Sequence, residues 1–157
     1  MDQRHRLRNR LGVALVVVSA LLGIQSGILF LYVFHEYREY HAVVAETSWP
    51  DLSVGLQTVI YCILKIVGGG FLAFGVGMAC LVLPIARGDN WARCCAICLA
   101  ACVWGPTLYA CFVLRDANPA AEPPLGGVLV MLLLPIAGAL ISCPSTISAA
   151  RYPRMPN

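Results

Sequence analysis

The chain has 157 residues, 59% of them hydrophobic and only 12% charged, and its mean hydropathy is +0.76. Soluble domains carry about a quarter charged residues, so this composition argues against one. The net charge of +3 is small, and the basic residues form no long run with interleaved aromatics, which removes nucleic acid as a partner.

Four segments are apolar over the roughly 20 helical residues needed to cross about 30 Å of hydrocarbon. The first runs from Leu11 to Phe34, behind Arg4, Arg6, Arg8 and Arg10. Such a start also describes a signal peptide, but a signal core has only about 7 to 15 apolar residues. Here the run continues through GIQSGILFLYVF with no persuasive small-residue cleavage site, so a retained helix is expected. Ser19, Gly23 and Gly27 recur along it at steps of four, giving a face without bulk that suits helix contact.

The connection from His35 to about Asp51 contains HEYREYH, with Tyr37 and Tyr40 three apart. It suits a short interfacial helix or an extension of the first crossing. His35, His41, Glu36 and Glu39 are metal-ligand types. On a helix, however, the two histidines diverge by about 120°, which favours a solvated, charged helix end.

The second segment, Leu52 to Ala86, is longer than a perpendicular crossing requires. It also holds Lys65, an ionisable residue that is expensive inside a membrane and by default suggests function. Lys65, Gly69, Ala73 and Gly77 follow one another at steps of four, a small-xxx-small series expected to be buried against another helix. No Asp or Glu lies within the four segments, which leaves Glu36 and Glu39 as the nearest charge partners for Lys65. Otherwise its ammonium snorkels to the headgroups, or it meets an anionic ligand.

After the connection ARGDNWAR, the third segment runs from Cys94 to Leu114 and opens with CCAICLAAC. Cys94, Cys95, Cys98 and Cys102 resemble overlapping metal spacings. On a helix they fall within an arc of about 100° together with Gly105, the pattern of a packing stripe. They also stretch over about 12 Å of axis, too far to meet at one ion. A short connection, RDANPAAEPP, leads to the fourth segment, Leu125 to Ala150.

Arg4, Arg6, Arg8, Arg10, Arg87, Arg93, Arg151 and Arg154 share one side if four helices alternate, and only Arg38 and Arg115 fall opposite. Both termini are therefore expected in the cytoplasm. The expected fold is an all-α integral membrane protein, one domain of four transmembrane helices in a compact bundle, placed in the plasma membrane. Disulfide-forming membrane enzymes, such as the quinone-linked oxidases and vitamin K epoxide reductases, resemble this chain in helix count only. They relay electrons through cysteines in external loops, where this chain has none.

No phosphate loop, nucleophile elbow or HExxH occurs, so no enzyme class gains support and no cofactor or metal is expected. The preferred reading is a non-enzymatic accessory, assembly or interaction component, with the lipid bilayer and another membrane protein or a second copy as partners. The alternative is a small transporter or channel component, in which Gly68 to Gly70, Pro106 and Pro135 break crossings.

Overall fold

The computed structural model describes residues 3–142. It is all-helical over those residues. Helix α1 spans Gln3–Ile28 and runs on through a single π-turn, Leu29–Val33. A short helix α2, Glu39–Ala45, lies in the following connection. Helices α3, Val54–Arg87, α4, Asn90–Ala117, and α5, Leu125–Ile141, follow it in the described residues.

Three helices, those of α1, α3 and α4, are long and apolar enough to cross a membrane, and α5 is a shorter apolar helix of 17 residues. The chain is thus a helical membrane-type protein. Its surface agrees with this character: Leu21, Ile66, Leu133 and Leu140 each expose more than half of their area, where a soluble bundle places charge. The expected fourth segment continues beyond Ser142, outside the described residues.

Each long helix packs on two others. Helix α1 lies against α3 and α5, and α4 lies against the same two, so α1 and α4 sit diagonally across the bundle. The core between them is formed by Val16 and Ala20 of α1, Phe71, Phe74, Met78 and Ile85 of α3, and Ala92, Ala96, Ala100 and Trp104 of α4. Helices α3 and α4 are joined by Gly88 and Asp89 alone. Gly88 adopts φ 91°, and its amide bonds back to Ile85 O while that of Asp89 reaches Pro84 O. This left-handed closure satisfies orphan carbonyls at the end of α3 and sends α4 back antiparallel.

Several expectations are corrected by this packing. Within the chain, α3 does not present Lys65, Gly69, Ala73 and Gly77 as one buried face. Gly69 and Ala73 are exposed, and a Cβ on Gly69 meets nothing within 4 Å. Gly77 is half-buried, and a Cβ there would lie 3.0 Å from Leu99 of α4. The face turned to α1 runs instead through Gly68 and Gly75, with Leu64 and Phe71 buried beside them, roughly 150° around the helix axis from the expected series.

The cysteine stripe is corrected in the same sense. Cys94, Cys95, Cys98 and Cys102 are exposed, and the buried stripe of α4 is Ala92, Ala96, Ala100 and Trp104. Gly68 to Gly70, Pro84, Pro106 and Pro135 all lie inside continuous helices, so none unwinds its segment. The short helix anticipated near HEYREYH does occur, but it begins only at Glu39.

The first helix meets the expectation for its small residues. Ser19 is buried and donates to Leu15 O, and Gly23 and Gly27 face α3. A Cβ on Gly23 would stand 2.9 Å from the Cα of Gly75. At the arginine-rich end, Gly12 and Gly138 play the same part between α1 and α5, where a Cβ on Gly12 would lie 2.7 Å from Gly138 O. Backbones this close gain dispersion contacts that lipid cannot replace.

Candidate functional site

Lys65 projects from α3 onto the end of α1. Its Nζ donates to the carbonyls of Phe30, Leu31 and Phe34 at 3.1, 2.7 and 3.0 Å. Three carbonyls thus take up the three donors of the ammonium, and no Lys65 ion pair with Glu36 or Glu39 occurs among the described residues. The groups that Lys65 bonds are therefore main-chain oxygens, not the candidate charge partners Glu36 and Glu39. The same Nζ lies 4.5 Å from the ring centre of Tyr61, one turn earlier on α3, which adds a cation–π attraction.

The need for this clamp follows from helix geometry. The last carbonyls of a helix have no intrahelical partner, and in apolar surroundings an unmet carbonyl is costly. The π-turn closes with Phe34 N donating to Leu29 O at 2.8 Å. Beyond it the chain turns away at Phe34 in an extended conformation. Lys65 meets the exposed oxygens, and its charge opposes the negative end of the helix dipole. Gly68 makes the approach possible, since a Cβ there would lie 2.9 Å from the Cβ of Phe30. Phe30 is held in turn by edge contacts with Phe34 and Phe71 at 5.1 and 5.3 Å.

The connection folds over this end of the bundle. The Tyr37 hydroxyl donates to Thr47 O, and its ring meets Trp49 edge-on at 5.2 Å. Gln57 donates to Trp49 O and Leu52 O, while Asn118 at the end of α4 donates to Val43 O of α2. His35 Nδ1 lies 2.8 Å from Val33 O, and His41 Nδ1 accepts from Arg38 N. Among the described residues no three His, Cys, Asp or Glu side chains gather as metal ligands would.

Burial holds the His41 imidazole below its ordinary range. Tyr40, Tyr37 and Arg38 are the titratable groups beside it, so nothing acidic favours its charged form. A depressed base contributes stability that is present above its unfolded value of about 6.5 and lost as pH falls through the folded value. Amide exchange over residues 37–49, corrected for its intrinsic pH dependence, should therefore quicken between about pH 7.5 and 5.5. His41→Gln should remove that dependence.

A crevice of about 510 Å³ opens beside the clamp. Leu22 and Ser26 of α1 and Phe30 of the π-turn line it together with Gly127, Val130 and Met131 of α5. Phe71 and Trp104 line it as well, stacked on each other at 4.7 Å and 13°. Tyr40 of α2 and Pro124 lie at its loop end.

The opposite end of the bundle is laced by Arg93, which sequence reasoning treated only as a topology signal. Its guanidinium donates to Ser142 O at 2.8 Å, to Gly88 O at 3.3 Å and to the Asn90 side chain, tying α3, α4 and α5 together. Its place shortly after the glycine of ARGDNWAR is the signal that could have found it. A scan against protein-family models finds none that matches this chain, and comparisons with curated proteins and with solved structures find no match either.

Proposed function

We propose that the chain is a four-helix integral membrane protein that works without catalysis, as an accessory or assembly component joined to another membrane protein or to a second copy. The arginine distribution favours both termini in the cytoplasm and suits insertion in the plasma membrane. The observation that carries the proposal is a duplication of small-residue faces. The chain packs itself through Gly23, Gly27, Gly68 and Gly75, yet Cys62, Gly69, Ala73 and Cys80 of α3 and Cys94, Cys98 and Cys102 of α4 remain uncovered. Small residues let helices approach closely and bring nothing against lipid alone, so a bare second set suits a helix from outside the chain.

The transporter alternative has less support. Lys65 already satisfies its three donors on carbonyls, Gln57 is bound in the loop and Gln25 lies on an exposed face. Among the described residues, polar groups do not line a route from Lys65 through the bundle.

Co-purification in mild detergent tests the proposal. The parent should bring down a stoichiometric partner or itself, and the pair Gly69→Leu with Ala73→Leu should lose it. Both sites are exposed, so the isolated variant should unfold within about 0.5 kcal/mol of the parent. A monomer that binds nothing and moves solute in liposomes would transfer the case to transport.

A further inference from the structure

Helices α1 and α5 are in contact at one end and apart at the other. At Gly12 and Gly138 their backbones are so close that a Cβ on either would strike the other helix. Towards the loop end a Cβ on Gly126 or Gly127 meets nothing within 4 Å. The gap between them is the 510 Å³ crevice, which falls within the roughly 300–1,000 Å³ of ordinary ligand sites. The crevice is open at its side, where Gly126, Gly127 and Val130 are exposed, so it is accessible to a molecule from outside the chain.

The lining indicates what chemistry fits. Most of it is aliphatic or aromatic, and the Thr107 hydroxyl is already bonded to Val103 O at 2.8 Å. Among the described residues the hydroxyl of Tyr40, at the loop end, makes no hydrogen bond, and burial pushes its pKa up, so it stays a neutral donor. The Trp104 indole nitrogen is buried and also unpartnered, which leaves a further donor unmet at this wall. Gly126, Gly127 and Val130 beside the opening are exposed, on a chain whose surface is otherwise suited to lipid.

We infer that the crevice between α1 and α5 binds one hydrocarbon chain of an amphiphile drawn from the surrounding bilayer, its head group accepting a hydrogen bond from Tyr40. The inference rests on the membrane reading but not on any protein partner. A membrane molecule enters sideways between the parted helices, its chain beside Phe30, Phe71 and Trp104 and its head at the loop end. Burying the chain gains dispersion contacts with these rings that the empty crevice lacks.

The test uses the full chain purified alone in unbrominated detergent, with Trp49→Phe and Trp91→Phe so that Trp104 is the sole indole. A dibrominated long-chain fatty alcohol is titrated while Trp104 emission is followed. Saturable quenching is expected, reversed by the unbrominated alcohol and not by a short-chain one. Gly127→Leu and Ser26→Phe, on opposite walls, should each weaken it by roughly tenfold or more while melting no lower than the parent. Tyr40→Phe should weaken the alcohol several-fold and leave a brominated alkane unaffected. Unsaturable quenching, or quenching unchanged in both filled variants that remain folded, would overturn the inference. Because no partner is present in the titration, loss of the assembly proposal would leave this result intact.

Discussion

Replacing Lys65 with Met should lower the stability of the chain in detergent by on the order of 3 kcal/mol, although Met is no less apolar than its neighbours. Three carbonyls, those of Phe30, Leu31 and Phe34, would lose their donor together. Each buried group left unmet costs roughly 1–3 kcal/mol, partly relieved where water can enter. The negative end of the α1 dipole would also lose its counter-charge. Lys65→Arg keeps the charge but brings a planar fork to a site shaped for a compact ammonium, so an intermediate loss is expected. Thermal unfolding of the three proteins checks the order Lys, Arg, Met. A Met variant as stable as the parent would show that the clamp contributes little. The damage should be local as well: amide exchange should rise most at residues 29–34.

The second large effect is expected at Gly75. A Cβ there would collide with the main-chain nitrogen of Ile24, lie 2.7 Å from Ile24 Cγ1 and lie 2.8 Å from Ala20 O. Two of those three neighbours are backbone, so no rotamer change relieves the clash. Helices α1 and α3 must part along their whole contact, the most extensive in the bundle. Overpacking typically costs about 1–3 kcal/mol where neighbours can shift. Gly75→Leu should exceed that range and yield little folded protein, with Gly75→Ala already clearly destabilised. Gly69→Leu, six residues away on the open side of the same helix, is the internal control and should melt with the parent. If Gly69→Leu proved the more harmful of the two in the isolated chain, the assignment of the α1 face would be wrong.

The long helices were legible because hydrocarbon thickness imposes a run length that composition cannot hide. What the sequence left open was rotation. Three glycines in a row, Gly68 to Gly70, offer small-residue series in more than one register, and Lys65, Gly69, Ala73 and Gly77 was as regular as the face that is actually used. Only the neighbour decides, and the neighbour is α1, whose Gly23 and Gly27 lie against Phe74, Gly75 and Leu72. Helix α4 posed the same ambiguity. Ala92, Ala96 and Ala100 repeat every four residues just as clearly as the cysteines, yet the thiols drew more notice for their chemistry. The role of Lys65 was hidden for another reason. Its partners are main-chain oxygens freed at a π-turn, and a sequence displays side chains while saying nothing of which carbonyls lack a donor.

The contact between the first and last helices bears on how the molecule is assembled. Gly12 and Val16 emerge early in synthesis but are covered only when Gly138 and Ser142 arrive. Helix α3 can dock on α1 as soon as it is made, and α4 follows through its two-residue turn. The ring closes last, at the seam where the crevice lies, and any chain cut short before Leu125 presents an uncovered glycine groove to the membrane's quality control.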